Sequence, residues 1–155
     1  NDHAKQLASD IIAFDKNIFT EKDFFDLVIF RGTIQHVDEP FRMMKESFRA
    51  LKPGGHIIFL ATPNTNSMLY RLKGTLGFLS PSMNFYIPGD RELSNALTNY
   101  GFNVRNITYP YIGTPYCNLL SDHWKFIKNI FSRSFYPHAF WKNSMNMAAQ
   151  KPPLP

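Results

Sequence analysis

At 155 residues the chain is long enough for one domain with a packed core and too short for two comfortable ones. Its 44% hydrophobic content excludes a disordered chain, no run approaches the roughly 18 uncharged apolar residues of a membrane span, and the single cysteine, Cys117, excludes an internal disulfide. The formal charge of +5 leaves nucleic acid, an acidic small molecule and a membrane surface open as partners.

No basic start followed by an apolar run opens the sequence, so no signal peptide is legible, and the lone cysteine fits a reducing, cytoplasmic setting. Asn1 is an unusual first residue and is read as an internal start. Asp10 to Phe14 reads as a short strand. Phe25 to Phe30 is a continuous apolar run rich in branched residues, as expected of a strand buried on both faces of a parallel sheet.

A helix is predicted next, with Asp38 as its N-cap and Pro40 in its first turn, where the missing N–H costs nothing. Phe41, Met44, Phe48 and Leu51 form its apolar stripe, and Lys52 to Gly55, with Pro53, ends it. His56 to Ala61 is a second buried strand, so the segment is a βαβ unit with parallel strands.

After a looser stretch, in which Met68 to Leu79 is interrupted by Gly74 and Gly77, a helix runs from Arg91 to Tyr100. Asp90 caps it, Leu93 and Leu97 face inward, and Gly101 ends it. Phe102 to Tyr109 is a strand, Leu119 to Phe131 a helix, and Ser144 to Gln150 an edge strand followed by prolines. From residue 117 onward five basic residues stand against Asp122 alone, interleaved with Trp124, Phe126, Phe131 and Trp141. Two readings are open for this tail: a surface for an acidic partner, or a helix whose aromatics pack on the core while its lysines are solvated.

The run from Phe25 to Pro40, FDLVIFRGTIQHVDEP, resembles the fourth strand and following loop of class I S-adenosylmethionine-dependent methyltransferases, which often read "FDxVxxxxxLEHxxDP" there. Arg49 to Asn64, RALKPGGHIIFLATPN, is similar to the family's next landmark, "LLKPGGxLxxxxPN", and Asp90 to Val104 to its "xxLxxLLxxxGFxV" helix and strand. Phe140 to Lys151 resembles the last, antiparallel strand of members acting on sugars and small metabolites.

The resemblance implies a Rossmann-like α/β domain with a mostly parallel sheet and an antiparallel last strand. Residues 10–109 would be core βα units and 110–155 the basic, aromatic helix and edge strand. The family's glycine-rich cofactor loop needs G-x-G, and none of the eight glycines here forms one. The resemblance therefore implies that about 80 residues, three βα units of about 30, would precede Asn1. It also implies that this chain alone binds the cofactor weakly or not at all.

The resemblance assigns Asp15 to the adenine amino group, and Arg31, Gly32 and Thr33 to the methionine part of S-adenosylmethionine. His36 stands at the family's histidine position, as a base for the acceptor's proton or as a structural residue. Gln35 replaces the usual glutamate and cannot ionise. Gln35, Asn64 and Tyr86 are expected on the acceptor side, with turn chemistry as the alternative for Asn64. His3, His56, His123 and His138 have no metal-ligand spacing, so no metal is expected.

The expected activity is methyl transfer to a small molecule such as a sugar, nucleotide-sugar or secondary metabolite, the basic tail suiting a phosphorylated one. Two alternatives stay open. A non-catalytic interaction module would fail to bind cofactor, and an RNA methyltransferase would bind RNA with steep salt dependence.

Overall fold

In the computed structural model residues 21–74, 86–110, 119–128 and 142–155 are described. Four strands, β1 (Phe25–Arg31), β2 (Leu51–Pro63), β3 (Asn103–Thr108) and β4 (Ser144–Gln150), form one sheet in the spatial order β1-β2-β4-β3. β1 and β2 are parallel, Val28 lying opposite Ile57 and Phe30 opposite Phe59. β4 is antiparallel to both β2 and β3. Three strands thus share one direction and the last opposes them, as expected. The last strand is not at an edge, however. It is inserted between β2 and β3, where its alternate residues Met145, Met147 and Ala149 are buried. The prolines at 152 and 153 end the strand; they do not mark a border of the sheet.

Helix α1 (Pro40–Ala50) starts with proline at its first position, as expected, but Glu39 is the N-cap and makes no side-chain cap. Asp38 accepts from the Glu39 N–H at 3.0 Å, one residue too early to cap the helix. The buried positions are Pro40, Met44, Ser47 and Ala50; Phe41 is exposed, and Leu51 already belongs to β2. The expected turn at Lys52 to Gly55 is therefore the irregular first part of a 13-residue strand. There Gly54 takes φ 82°, and pairing with β1 slips between Phe25 and Leu27.

Ser67 caps the short α2 (Met68–Lys73) by accepting from the Tyr70 N–H, and Gly74 closes it in the left-handed conformation. In α3 (Asp90–Asn99), Gly89 and not Asp90 is the N-cap. Leu93 and Leu97 are fully buried, as predicted, and Gly101 turns the chain with φ 95°. Helix α4 (Leu119–Lys128) follows β3. Among the described residues no helix is long and apolar enough to cross a membrane. The predicted strand at 10–14 lies outside the described residues, as do the ends of the stretches at 75–79 and 129–131.

One core joins Val28, Phe30, Ile57, Phe59, Met145 and Met147 of the sheet to Met44, Leu93 and Leu97 of the helices. Phe30 stacks on Phe59 at 5.1 Å, and each large buried side chain contributes about 2–3 kcal/mol by leaving water. Burial on both faces, expected for β1, holds for one face only: Leu27 is 46% and Ile29 47% exposed. Met44 of α1 and Leu93 and Leu97 of α3 share the core cluster of Val28 and Phe30.

Candidate cofactor and acceptor site

In an open α/β sheet, ligands gather beyond the carboxyl ends of the strands. Three segments meet there: 31–36 after β1, 61–67 at the end of β2, and 86–90 before α3. Gly32 has φ 57°, a Cβ built on it would meet nothing within 4 Å, and its N–H donates to Leu60 O at 2.8 Å. The backbone here is pinned to β2 yet open to close approach. Arg31 is exposed, and the exposed Thr33 spends its hydroxyl on Arg31 O at 2.9 Å.

Ile34, fully buried, anchors a 3-10 turn (Ile34–His36) that turns Gln35 inward and leaves His36 exposed. Gln35 Nε2 donates to Gly32 O at 3.0 Å and approaches His36 Nε2 at 3.4 Å. The carbonyl of Gly32 fixes the amide's orientation, because the flipped amide would set two acceptors against each other. That leaves Gln35 Oε1 buried without a partner among the described residues.

Tyr86 sits beside it. Its N–H donates to Gln35 O at 3.4 Å, its ring lies 5.1 Å from that of Phe41, and its hydroxyl is also buried without a partner among the described residues. Burial, reinforced by the negative charge of Glu92, pushes the phenol up to about 12, so it stays a neutral donor near neutral pH.

At the end of β2, Ala61 takes φ 52° in a bulge, and Asn146 Oδ1 accepts its N–H at 2.9 Å. Beyond the bulge Asn64 is a tie point, 1% exposed. Its Oδ1 accepts the N–H groups of Asn66 and Asp90, each at 3.0 Å, and its Nδ2 donates to Lys142 O at 3.0 Å.

Asp90 in turn accepts from Tyr109 Oη at 2.6 Å, the Arg91 N–H at 2.8 Å, Asn66 Nδ2 at 2.9 Å and, more weakly, Asn64 Nδ2 at 3.5 Å. Burial alone would raise this carboxyl, but the hydrogen bonds outweigh it and hold it below its ordinary value. Burial and then the bond to Asp90 push Tyr109 up to about 12. Beside the network opens a cleft of about 420 Å³ whose wall includes Asn64, Ser67, Arg71, Asp90, Arg91 and Lys142.

Of the residues singled out in the sequence, the structure brings together Gly32, Gln35, His36 and Tyr86, and places Asn64 on the adjoining cleft. Asp15 lies outside the described residues. Sequence reasoning missed the Asp90–Tyr109 pair, because Asp90 has a sufficient local reading as a cap. It also missed the cations of the cleft, which come from three distant stretches.

The methyltransferase domain family matches residues 1–107. The chain therefore belongs to that family, and its sheet has the Rossmann-like fold of the class I S-adenosylmethionine-dependent members. Similar solved structures include a Methanosarcina mazei S-adenosylmethionine-dependent methyltransferase, at 17% identity and TM-score 0.54, covering 90% of this chain and 66% of that one. A Thermotoga maritima S-adenosylmethionine-dependent methyltransferase gives 17% and 0.58, covering 96% and 69%. A [4+2]-cyclase gives 18% and 0.59, covering 99% and 61%. The chain thus spans about two thirds of the length of these proteins. No curated protein matches it.

Proposed function

We propose that this protein takes part in methyl transfer from S-adenosylmethionine to a small-molecule acceptor with a hydroxyl or amine, such as a sugar, nucleotide-sugar or secondary metabolite. The observation that carries this reading is a pair of buried polar atoms without a partner among the described residues, Gln35 Oε1 and Tyr86 Oη, on two residues joined by the bond from the Tyr86 N–H to Gln35 O. Buried polar atoms are almost always paired in a folded chain, so two exceptions on neighbouring residues beyond the parallel strands suit a polar ligand.

The residues present fit one rim of a cofactor site. Gly32 leaves room for the methionine part, Arg31 and Thr33 flank it, and Asp15 is assigned to the adenine. The cofactor, when bound, supplies an activated methyl group. The chain's own task is to hold the acceptor in attack geometry. Tyr86 donates to an acceptor oxygen, Gln35 Oε1 accepts from a donor of the ligand, and Asn64 fixes the wall. His36, exposed at the rim, takes the proton released by the acceptor.

The test is formation of S-adenosylhomocysteine by the protein, with any residues that precede Asn1 included, over a panel of hydroxyl and amine acceptors. Product is expected, with kcat/KM lowered about tenfold or more by Tyr86→Phe or Gln35→Leu. His36→Asn is expected to lower kcat about a hundredfold. No product with any acceptor, together with no cofactor binding in calorimetry, would sink the reading.

A further inference from the structure

We infer that the cleft beside Asn64 is a phosphate subsite, and that the acceptor of this domain carries a phosphate monoester. The inference rests on the reading above only for the identity of the phosphate's bearer. Three cations from three separate elements line the cleft: Arg71 on α2, Arg91 in the first turn of α3, and Lys142 just before β4. All three are exposed, and among the described residues none of them forms a salt bridge.

The single carboxylate in the wall does not neutralise them. Asp90 already accepts from Tyr109, Asn66, Arg91 N–H and Asn64. Three cations against Asp90 in the wall and Glu92, which Asn66 Nδ2 reaches at 2.8 Å, leave the cations in excess. A phosphate monoester carries about −1.5 to −2 near neutral pH and three acceptor oxygens, so it can meet several of these cations at once.

Neutral chemistry points the same way. Ser67 is 2% exposed and its Oγ accepts from the Tyr70 N–H at 3.2 Å, while among the described residues its own proton has no acceptor. A buried hydroxyl in the wall of a cleft that two arginines also line suits the three acceptor oxygens of a phosphate.

The scaffold also fixes one of the cations. Asn64 Nδ2 grips Lys142 O, where the backbone takes φ 64°, and the Lys142 ammonium rests 4.6 Å from the centre of the Tyr109 ring. Tyr109 is bonded to Asp90, whose N–H is held by the same Asn64. Cations gathered on a tied wall repel one another until an anion enters, so the arrangement is one that a bound phosphate relieves.

Inorganic phosphate titrated into the protein by calorimetry tests this. Saturable binding is expected, weakening about tenfold or more in the Arg71→Ala/Arg91→Ala double variant and in Lys142→Gln. It should also weaken with added salt, and acetate should bind far more weakly. Because Arg71 and Arg91 are exposed and form no salt bridge among the described residues, the double variant should melt with the parent. A sugar phosphate should displace the phosphate, whereas the same sugar without phosphate should not.

Absence of saturable phosphate binding overturns the inference. So does unchanged affinity in the double variant, acetate binding as tight as phosphate, or equal displacement by the bare sugar. Phosphate binding without methyl transfer to any phosphorylated acceptor would support the subsite and overturn the enzymatic reading instead.

Discussion

At Asp90, burial and hydrogen bonding pull the carboxyl in opposite directions, and the four donors prevail. A carboxyl lowered by folding stabilises the native state above its ordinary value of 3.8, and that contribution is lost as the pH falls through the lowered value. Tyr86 and Tyr109 act at the other end. Both are raised from 10.0 to about 12, so their share of stability is complete below pH 10 and is lost as the pH rises toward 12. Thermal melts across that alkaline range should fall with pH, and Tyr109→Phe should reduce the slope while Tyr86 keeps its part. An unchanged slope would refute the Tyr109 contribution.

Asp90→Asn is expected to cost about 1–3 kcal/mol in chemical denaturation, since an amide N–H₂ would face the donors that now serve a carboxylate. Asn146→Ala should cost about as much, because it leaves the Ala61 N–H of the bulge without its acceptor. These pairings were not legible in the sequence. Asn146 lies 85 residues from Ala61, and neither residue type announces a bulge.

Two glycines separate packing from conformation at the scale of elements. A Cβ on Gly55 would lie 2.9 Å from Lys52 O and 3.2 Å from Asp26 O, against backbone that cannot yield cheaply. Gly55→Ala is therefore expected to destabilise the sheet by about 1–3 kcal/mol. Gly32→Ala meets no atom, so its cost is the left-handed backbone alone, about 1 kcal/mol. Denaturation midpoints of the two variants check the ranking. Cofactor binding then reports separately whether a ligand approaches Gly32, by falling more in Gly32→Ala than in Gly55→Ala.

The βαβ core was legible because its signals are local: proline at the helix start, apolar runs, and Gly101 after Leu97. The limits of that reading are instructive. Phe41 fits the apolar spacing yet is exposed, since the helix turns Pro40 and Met44 to the core instead. Pro53 and Gly54 look like a turn but lie within β2, because Gly54 absorbs the irregularity and its N–H pairs with Lys151 O.

For the whole molecule, the order β1-β2-β4-β3 follows from the chain returning antiparallel between two strands of common direction. Sequence periodicity identified β4 but not its neighbours, for a strand of alternating buried residues reads the same at an edge or inside. The far end of the sheet is closed by Lys151, whose ammonium reaches Asp23 and Leu51 O at 2.6 Å each and lies over the Phe48 ring. That clamp lies at the opposite end of the sheet from the carboxyl ends of β1 and β2. The family's motifs made the loop after β1 legible, and the cleft cations came together only through the fold that assembles them.

The central claim is that this frame serves methyl transfer. Its most direct measurement is methyl-labelled S-adenosylmethionine incubated with the protein, including any residues that precede Asn1, and a phosphorylated small-molecule acceptor. The expected result is label in the acceptor, one S-adenosylhomocysteine for each methyl transferred, and loss of both with Tyr86→Phe and Arg71→Ala/Arg91→Ala combined. No labelled acceptor over a broad panel, from a protein that folds but leaves the cofactor unbound, would contradict it.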